Sequence, residues 1–171
     1  GIKAVALPLE CDFSGLSQNI IKIADMPRYI LNTAAVIKDL KRAKAQGAEY
    51  ALCGNISSVQ IAKSEGFKII GDIGLNIAND TTAKVFEDMG VSAVLSSCEL
   101  TLFETENLNS PLKKGIFAYG RLPLMLTRNC PVKNGTTCDK CKKSGFLKDR
   151  KGMLFPVRCR TGYSEVFNSA P

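Results

Sequence analysis

The sequence contains no histidine. This absence excludes a Ser-His-Asp triad, a Cys-His catalytic pair and a zinc site ligated by imidazole, and it removes the usual general base near neutral pH. No window approaches the roughly 18 consecutive apolar residues of a membrane span, and Gly1-Ile2-Lys3 lacks a signal-peptide pattern. Chemistry in this chain must use Cys, carboxylates, Arg, Lys, Tyr or a cofactor.

Cysteine is sparse for a secreted, disulfide-stapled domain. The chain has 7 Cys in 171 residues, and an odd number leaves one thiol unpaired. We therefore expect a cytoplasmic, reducing location. With 45% hydrophobic and 23% charged residues, the chain has enough apolar side chains for one soluble globular domain with a sizeable core.

The positive charge is concentrated in one part of the chain. Residues 1–111 carry 10 Lys and Arg against 13 Asp and Glu, whereas residues 112–160 carry 13 against 2. Such a concentration attracts a polyanion such as RNA, or a small anionic substrate. The alternative is a set of solvated lysines on a loop, without a ligand.

Short apolar runs alternate with amphipathic segments along the first 120 residues. The pattern predicts strands at 2–10, 49–53, 67–70, 91–95 and 115–120, and a further extended stretch after 67–70 that runs through Asn76. It predicts helices at 34–45, 59–64 and 81–89, with another starting near Thr101. Ser57 or Ser58 is the predicted N-cap of the second helix. Three consecutive strand-helix units predict an α/β fold with a parallel sheet.

Parallel units of this kind form an open doubly wound sheet or a (β/α) barrel, and the regular unit length favours part of a TIM-like barrel. A complete barrel needs about 250 residues, so we expect a segment of a longer protein. We divide it into residues 1–120, the (β/α) region, and residues 121–171, a Cys-rich basic metal-binding loop region packed on the same domain. The sheet edges are then expected to pair in a homodimer or with the missing part, unless the strands open into a flatter layer. The inward side chains expected to lose part of their cover are Val5, Leu7, Ala51, Ile69, Val94 and Leu95.

Four cysteines in the basic region have the spacing of a metal site: Cys130, Cys138, Cys141 and Cys159, a C-x7-C-x2-C-x17-C array. A C-x2-C pair places two thiolates on one turn, and two distant cysteines complete a tetrahedral set for zinc or an iron–sulfur cluster. We expect the surrounding cations to lower the thiol pKa values. The alternative is four unligated thiols, and the other three, Cys11, Cys53 and Cys98, are expected to be small buried side chains.

Barrel-type sheets carry their chemistry at the carboxyl ends of the strands. The polar residues predicted there give four candidate catalytic residues, Glu10, Asp72, Glu99 and Arg121, and two candidate cofactor-binding residues, Asn55 and Asn76. Carboxylates accept protons or bind hydroxyls, and Arg holds a carboxylate or phosphate bidentately. Ser96, Ser97 and Cys98 are nucleophiles without an identifiable base. The alternative for each residue is ordinary turn or cap chemistry.

Several motifs in the second half of the chain form a recognisable set. They are Tyr119 to Met125 (YGRLPLM), Cys130-Pro131, Asp149 to Gly152 (DRKG), Phe155 to Cys159 (FPVRC) and Asn168-Ser169. This set resembles the long members of the collagenase-like peptidase family of unassigned catalytic type. Against that family's signature, the chain matches at Phe117, Gly120, Leu122, Cys130 and Val132, and departs at Gly115, Arg121, Pro123, Arg128 and Lys133.

The resemblance implies a TIM-like barrel and a 4Fe-4S cluster on the four cysteines. It also implies oxygen-independent hydroxylation of RNA (rRNA or tRNA) bases or of a quinone precursor, with prephenate as the hydroxyl donor in some RNA-acting relatives. Our first hypothesis is therefore a segment of an iron–sulfur RNA-modifying enzyme. The alternatives are a peptidase, as the family name suggests, and a non-catalytic binding module in which zinc replaces the cluster.

Overall fold

The chain folds into two units, each with its own β-sheet. The computed structural model describes residues 1–133 and 144–171, and the units are Gly1–Phe117 and Ala118–Pro171. The fold is mixed α/β, with a six-stranded parallel sheet in the first unit and a separate four-stranded antiparallel sheet in the second. Within the described residues, none of the helices combines the length and apolarity that crossing a membrane requires.

The first unit alternates strands and helices after an initial pair of strands. The strands are β1 (Ala4–Pro8), β2 (Ile21–Asp25), β3 (Tyr50–Cys53), β4 (Lys68–Gly71), β5 (Val91–Leu95) and β6 (Lys113–Gly115). The helices are α1 (Thr33–Ala45), α2 (Ile56–Ser64), α3 (Asp80–Asp88) and α4 (Leu102–Asn107). All neighbouring strands are parallel, and they follow one another in the sheet in chain order, β1 to β6.

The predicted parallel strand-helix units are confirmed, with three differences. The sequence analysis missed β2, whose five residues carry only a weak alternation, although this strand joins β1 to β3. The strand predicted at 115–120 is wrong, because β6 ends at Gly115. The extended stretch predicted before Asn76 is a short 3-10 helix, Ile73–Leu75.

Asparagine and threonine side chains begin the helices. Asn32 accepts a hydrogen bond from the backbone N–H of Ala35 at the start of α1. The predicted cap of α2 is wrong: Asn55 is the N-cap, and Ser58 is its partner in a capping box. Because such a cap satisfies N–H groups that have no partner within the helix, it fixes where the helix begins after the strand.

The two faces of the parallel sheet differ in cover. Ala24, Ala51 and Ile69 are aligned across β2, β3 and β4 and are buried in one core together with apolar residues of α1, α2 and α3. The next residues along two of these strands, Leu52 and Ile70, alternate to the opposite face and are only half-buried. Burial of a side chain such as Ile69 contributes about 2–3 kcal/mol.

This alternation corrects the expected set of uncovered side chains. Ala51, Ile69 and Val94 are buried with the helices, so they were assigned to the wrong face. The half-buried face instead carries Leu52, Ile70, Ala93 and Leu95. A one-residue error in the alternation of a strand places every side chain on the wrong face.

The second unit is built from strands where the sequence analysis expected an irregular loop region. They are β7 (Pro123–Thr127), β8 (Ser144–Lys148), β9 (Leu154–Arg160) and β10 (Tyr163–Phe167), in the sheet order β7-β10-β9-β8. The DRKG motif is the turn between β8 and β9, where Asp149 Oδ1 accepts backbone hydrogen bonds from Lys151 and Met153 at 2.8 Å each. This part of the resemblance therefore has a structural role, the closing of a hairpin.

Candidate functional site

Polar side chains cluster at the carboxyl edge of the parallel sheet, where β3, β4 and β5 end side by side. Asp72 directly follows β4, and its backbone N–H donates to the carbonyl of Cys53, the last residue of β3, at 2.8 Å. A Cβ placed on Gly54 would lie 3.3 Å from Asp72 Oδ2. Because glycine has no side chain, Gly54 leaves room for the carboxylate of Asp72 to lie against the backbone after β3.

Asn76 and Ser97 are joined across this edge. The Ser97 hydroxyl donates to Asn76 Oδ1 at 2.6 Å, and Asn76 has a left-handed backbone with φ 50°. The preceding residue, Ser96, is 2% exposed, and its Oγ has no hydrogen-bond partner among the described atoms. A buried hydroxyl without a partner costs about 1–3 kcal/mol, so Ser96 is a polar group that the surrounding described structure does not satisfy.

The other candidate residues in the first unit are Asn55, Glu10 and Glu99. The Asn55 side chain accepts from the Ser58 N–H at 2.8 Å and donates to the carbonyl of Arg28 at 3.1 Å, so it caps α2 and holds the loop after β2. Glu10 follows β1 and Glu99 follows β5, and both residues are exposed. The structure thus brings Asp72, Asn76 and Ser97 to adjacent strand ends.

Arg121 belongs to the second unit, because β6 ends at Gly115 and the first unit ends at Phe117. Its assignment to the carboxyl end of a strand in the parallel sheet is therefore wrong. Its guanidinium donates to the backbone carbonyls of Asn168, at 2.9 Å, and Ser169. These bonds fasten the last residues of the chain to the segment before β7.

Asp25 is a carboxylate at this edge that the sequence analysis did not select. It is the last residue of β2, aligned with Pro8 of β1 and Leu52 of β3. The signal was weak, because apolar and polar residues alternate only over Ile21-Lys22-Ile23 before Ala24 and Asp25. With the strand unpredicted, the carboxylate at its end was not selected.

The two cysteines near this edge are protonated thiols. Burial raises the pKa of Cys53 to about 12, and the charges of Asp25 and Asp72 act in the same direction against a hydrogen bond with Ser58. Of the three cysteines expected to be buried, only Cys53 is, since Cys11 is half-buried and Cys98 is exposed. Partial desolvation, followed by the charge of Asp72, nevertheless raises the pKa of Cys98. Since the thiolate is the reactive form, neither cysteine is activated as a nucleophile.

The second unit brings two of the four predicted metal ligands together. Cys130 lies in the turn after β7 and Cys159 lies in β9, yet their Sγ atoms are 3.7 Å apart. Cys159 Sγ is also 3.5 Å from Oγ of the buried Ser164 on β10. No third potential ligand joins this thiol pair within residues 1–133 and 144–171, and Cys138 and Cys141 lie outside the described residues.

The backbone around Cys130 favours a thiolate. Burial acts to raise the pKa of this thiol, but hydrogen bonds from the backbone of Val132, the side chains of Cys159 and Ser164, and the backbone of Lys133 outweigh it, so the pKa is lowered. Val132 also anchors the turn on β8, since a Cβ on Gly145 would lie 2.8 Å from one of its methyl groups. Turns whose N–H groups point at a cysteine sulfur stabilise the charged form that binds metals.

The arginines beside Cys159 do not produce this effect as expected. Residues 158, 159 and 160 are consecutive in β9, so Arg158 and Arg160 point to the face opposite the thiol pair. Arg158 lies over the ring of Phe167, and Arg160 donates to the buried carboxylate of Glu165 at 3.1 Å. For Cys130, hydrogen bonds from the backbone and from Cys159 and Ser164 thus act where side-chain charge was expected. Three of the expected cations, Lys140, Lys142 and Lys143, lie outside the described residues.

The thiol pair fits a thiophilic metal. Two thiolates on one tetrahedral zinc ion, with Zn–S of about 2.3 Å, are about 3.8 Å apart, and the observed separation is 3.7 Å. In a 4Fe-4S cluster each iron takes one cysteine, so ligand sulfurs are about 6 Å apart. The donor set suits both centres, whereas the spacing as it stands is that of a single ion.

Comparison with models of known protein families gives no match for this chain, and comparison with curated proteins gives none either.

Proposed function

We propose that this chain is a segment of a metal-dependent RNA-modifying enzyme related to the collagenase-like peptidase family, with its metal centre in the second unit. The observation that carries the proposal is the 3.7 Å approach of Cys130 and Cys159, which are 29 residues apart in sequence. Free thiols gain little from such an approach, whereas a metal site requires it.

The described chain on either side of residues 134–143 supports a four-cysteine centre. Lys133 lies in the same turn as Cys130, and its N–H donates to the carbonyl of that residue. Ser144, at the other end, is paired with Arg158, the neighbour of Cys159. The described residues that flank 134–143 thus lie close in the fold to Cys130 and Cys159. Cys138 and Cys141 are proposed as the remaining ligands on their C-x2-C spacing and on the resemblance alone.

The arrangement of the parallel sheet supports a partial TIM-like barrel. Six parallel strands in chain order wind in one direction, as in a barrel, whereas a doubly wound sheet reverses direction at a switch point. The half-buried face with Leu52, Ile70 and Leu95 corresponds to a barrel interior. The carboxyl edge with Asp72 and Asn76 corresponds to the end where barrel enzymes carry their chemistry.

Within this proposal, Asp72 accepts a proton from the substrate or binds one of its hydroxyl groups. Asn76, held by its hydrogen bond with Ser97, positions the substrate. Glu10 and Glu99 extend the acidic edge, and Asn55 fixes the loop between β3 and α2. A small anionic hydroxyl donor such as prephenate, together with RNA, requires cations, which the second half of the chain supplies. Arg121 would bind such a donor only by exchanging its bonds to Asn168 and Ser169.

The proposal is tested by anaerobic purification of the full chain, followed by a visible absorption spectrum and elemental analysis for iron, sulfide and zinc. The cluster hypothesis expects a broad visible band with about four irons per chain, and loss of both in Cys159→Ser. Cys98→Ser is the matched control, because Cys98 belongs to the first unit and is not one of the four predicted ligands. Full iron occupancy in Cys159→Ser, or the absence of bound metal in the parent chain, would overturn the proposal.

A second candidate is a zinc-stabilised binding module without catalysis. The specific observation in its favour is the sulfur separation, which matches one tetrahedral ion. This candidate expects about one zinc per chain and no visible band, with metal removal unfolding the antiparallel sheet. A 4Fe-4S centre would need the two sulfurs to move apart by about 2–3 Å, so the same elemental analysis separates the two candidates.

A further inference from the structure

The antiparallel sheet has a second face, opposite the thiol pair. This face carries exposed aromatic and basic side chains. Residues paired across strands share a face, and side chains alternate along each strand. Phe146 of β8 is paired with Pro156 of β9, and Lys148 lies two residues further along β8 on the same face. Phe146 is 61% exposed.

The same face continues across β9 to β10 with cations and a second aromatic ring. Arg158 is paired with Glu165, two residues from Phe167, and its guanidinium lies 5.6 Å from the centre of the Phe167 ring. The Arg158 guanidinium thus lies over an aromatic ring while the residue stays exposed. We call the surface formed by Phe146, Lys148, Pro156, Arg158 and Phe167 the aromatic-basic face.

We propose that the aromatic-basic face is a platform for single-stranded RNA, with a base stacked on Phe146 and phosphates bound by Lys148 and Arg158. An exposed ring on a sheet offers any base a stacking surface, and flanking cations follow the backbone. Residues 118–171 carry 11 Lys and Arg against 3 Asp and Glu, which gives the charge complementarity that a polyanion requires. The choice of RNA rests on the proposed function. What is new is the surface that binds the RNA and the single-stranded state in which the RNA is bound.

The competing occupant of an exposed apolar side chain is another protein. The aromatic-basic face favours nucleic acid because its two rings and its proline are bordered by Lys148 and Arg158. Leu154, which is paired with Lys148 and is exposed, adds one aliphatic side chain to the same face. A stacked base uses the π-face of Phe146, so Phe146→Trp should retain binding and Phe146→Leu should lose it. A purely apolar contact with another protein would tolerate Phe146→Leu. The identity of the side chain at 146 therefore distinguishes the two occupants.

The test measures binding of the full chain to a fluorescein-labelled oligouridine of about 12 nucleotides and to an RNA duplex of equal length. We expect Phe146→Ala and Phe146→Leu to weaken single-strand binding by about 5- to 150-fold, and Phe146→Trp to retain it. Phe103→Ala is the control, because Phe103 is a similarly exposed ring, 73% exposed, on α4 of the first unit. Phe146→Ala should leave the salt dependence of binding unchanged, whereas Lys148→Gln should lower its slope by about one.

The inference is overturned if Phe146→Leu binds oligouridine as the parent does, or if Phe146→Ala weakens duplex and single strand equally. Metal content and far-ultraviolet circular dichroism of each variant are measured on the same preparations. A parent chain without metal that still shows the Phe146 effect would refute the proposed metal centre and leave the platform standing. A metal-loaded chain without the effect would do the reverse.

Discussion

Gly74 is predicted to be irreplaceable, because the loops after β3 and β4 touch through their backbones at this residue. A Cβ on Gly74 would lie 2.6 Å from the carbonyl oxygen of Gly54, whereas ordinary contacts begin at 3.4 Å. The obstacle is backbone rather than a flexible side chain, so relief requires a loop to move. The Gly74→Ala variant must therefore separate the two loops that form the carboxyl edge.

Neither loop moves without losing bonds. The Asp72 N–H donates to the carbonyl of Cys53, at the end of β3, at 2.8 Å. Gly74 lies in the turn closed by the bond from the Leu75 N–H to the Asp72 carbonyl, at 2.9 Å. Overpacking costs about 1–3 kcal/mol, and a rigid backbone obstacle predicts the upper end. For a unit of this size, about 3 kcal/mol lowers the melting temperature by roughly 10 °C.

The measurement is urea and thermal unfolding followed by far-ultraviolet circular dichroism. Gly15→Ala is the matched control, since a Cβ on Gly15 meets nothing within 4 Å. That substitution should be neutral or slightly stabilising, because Ala reduces the freedom of the unfolded chain by about 0.4–1 kcal/mol. A Gly74→Ala variant within about 0.5 kcal/mol of the parent would show that the close approach does not constrain the edge.

Two further predictions concern the same unit. The Cys53 thiol has a pKa of about 12 in the folded chain against about 8.5 in the unfolded chain. Its contribution to the free energy of unfolding is therefore complete below the unfolded pKa and is lost as pH rises toward 12. The unfolding free energy of the parent relative to Cys53→Ala should thus fall by about 1.4 kcal/mol per pH unit in that window; a constant difference would contradict this. Asn55→Ala removes the N-cap of α2 and the bond to the Arg28 carbonyl, and should cost about 1–2 kcal/mol in urea unfolding. Gln60→Ala, an exposed change in the same helix, should cost little, and equal costs for the two variants would show that the cap does not matter.

Local sequence determined most of the first unit. The strands predicted at 49–53, 67–70 and 91–95 coincide within one residue with β3, β4 and β5. The predicted end of the first helix at residue 45 is also correct, and Gly47 adopts φ 91° directly after the C-cap residue Gln46. These features depend on contiguous apolar runs and on a residue that tolerates a left-handed backbone, both of which are readable without any partner.

Only the tertiary structure decided which faces are covered and which distant residues meet. Ala51 and Leu52 are adjacent apolar residues in one strand, and only the packing of the helices decides that the first is fully buried and the second half-buried. Spacing grouped Cys130 with Cys159, but their contact depends on the antiparallel sheet, whose strands lack a clear apolar alternation. The sequence carries the chemistry of each side chain, whereas pairing between strands distant in sequence decides where that side chain points, because alternation gives two faces and only long-range contacts distinguish them.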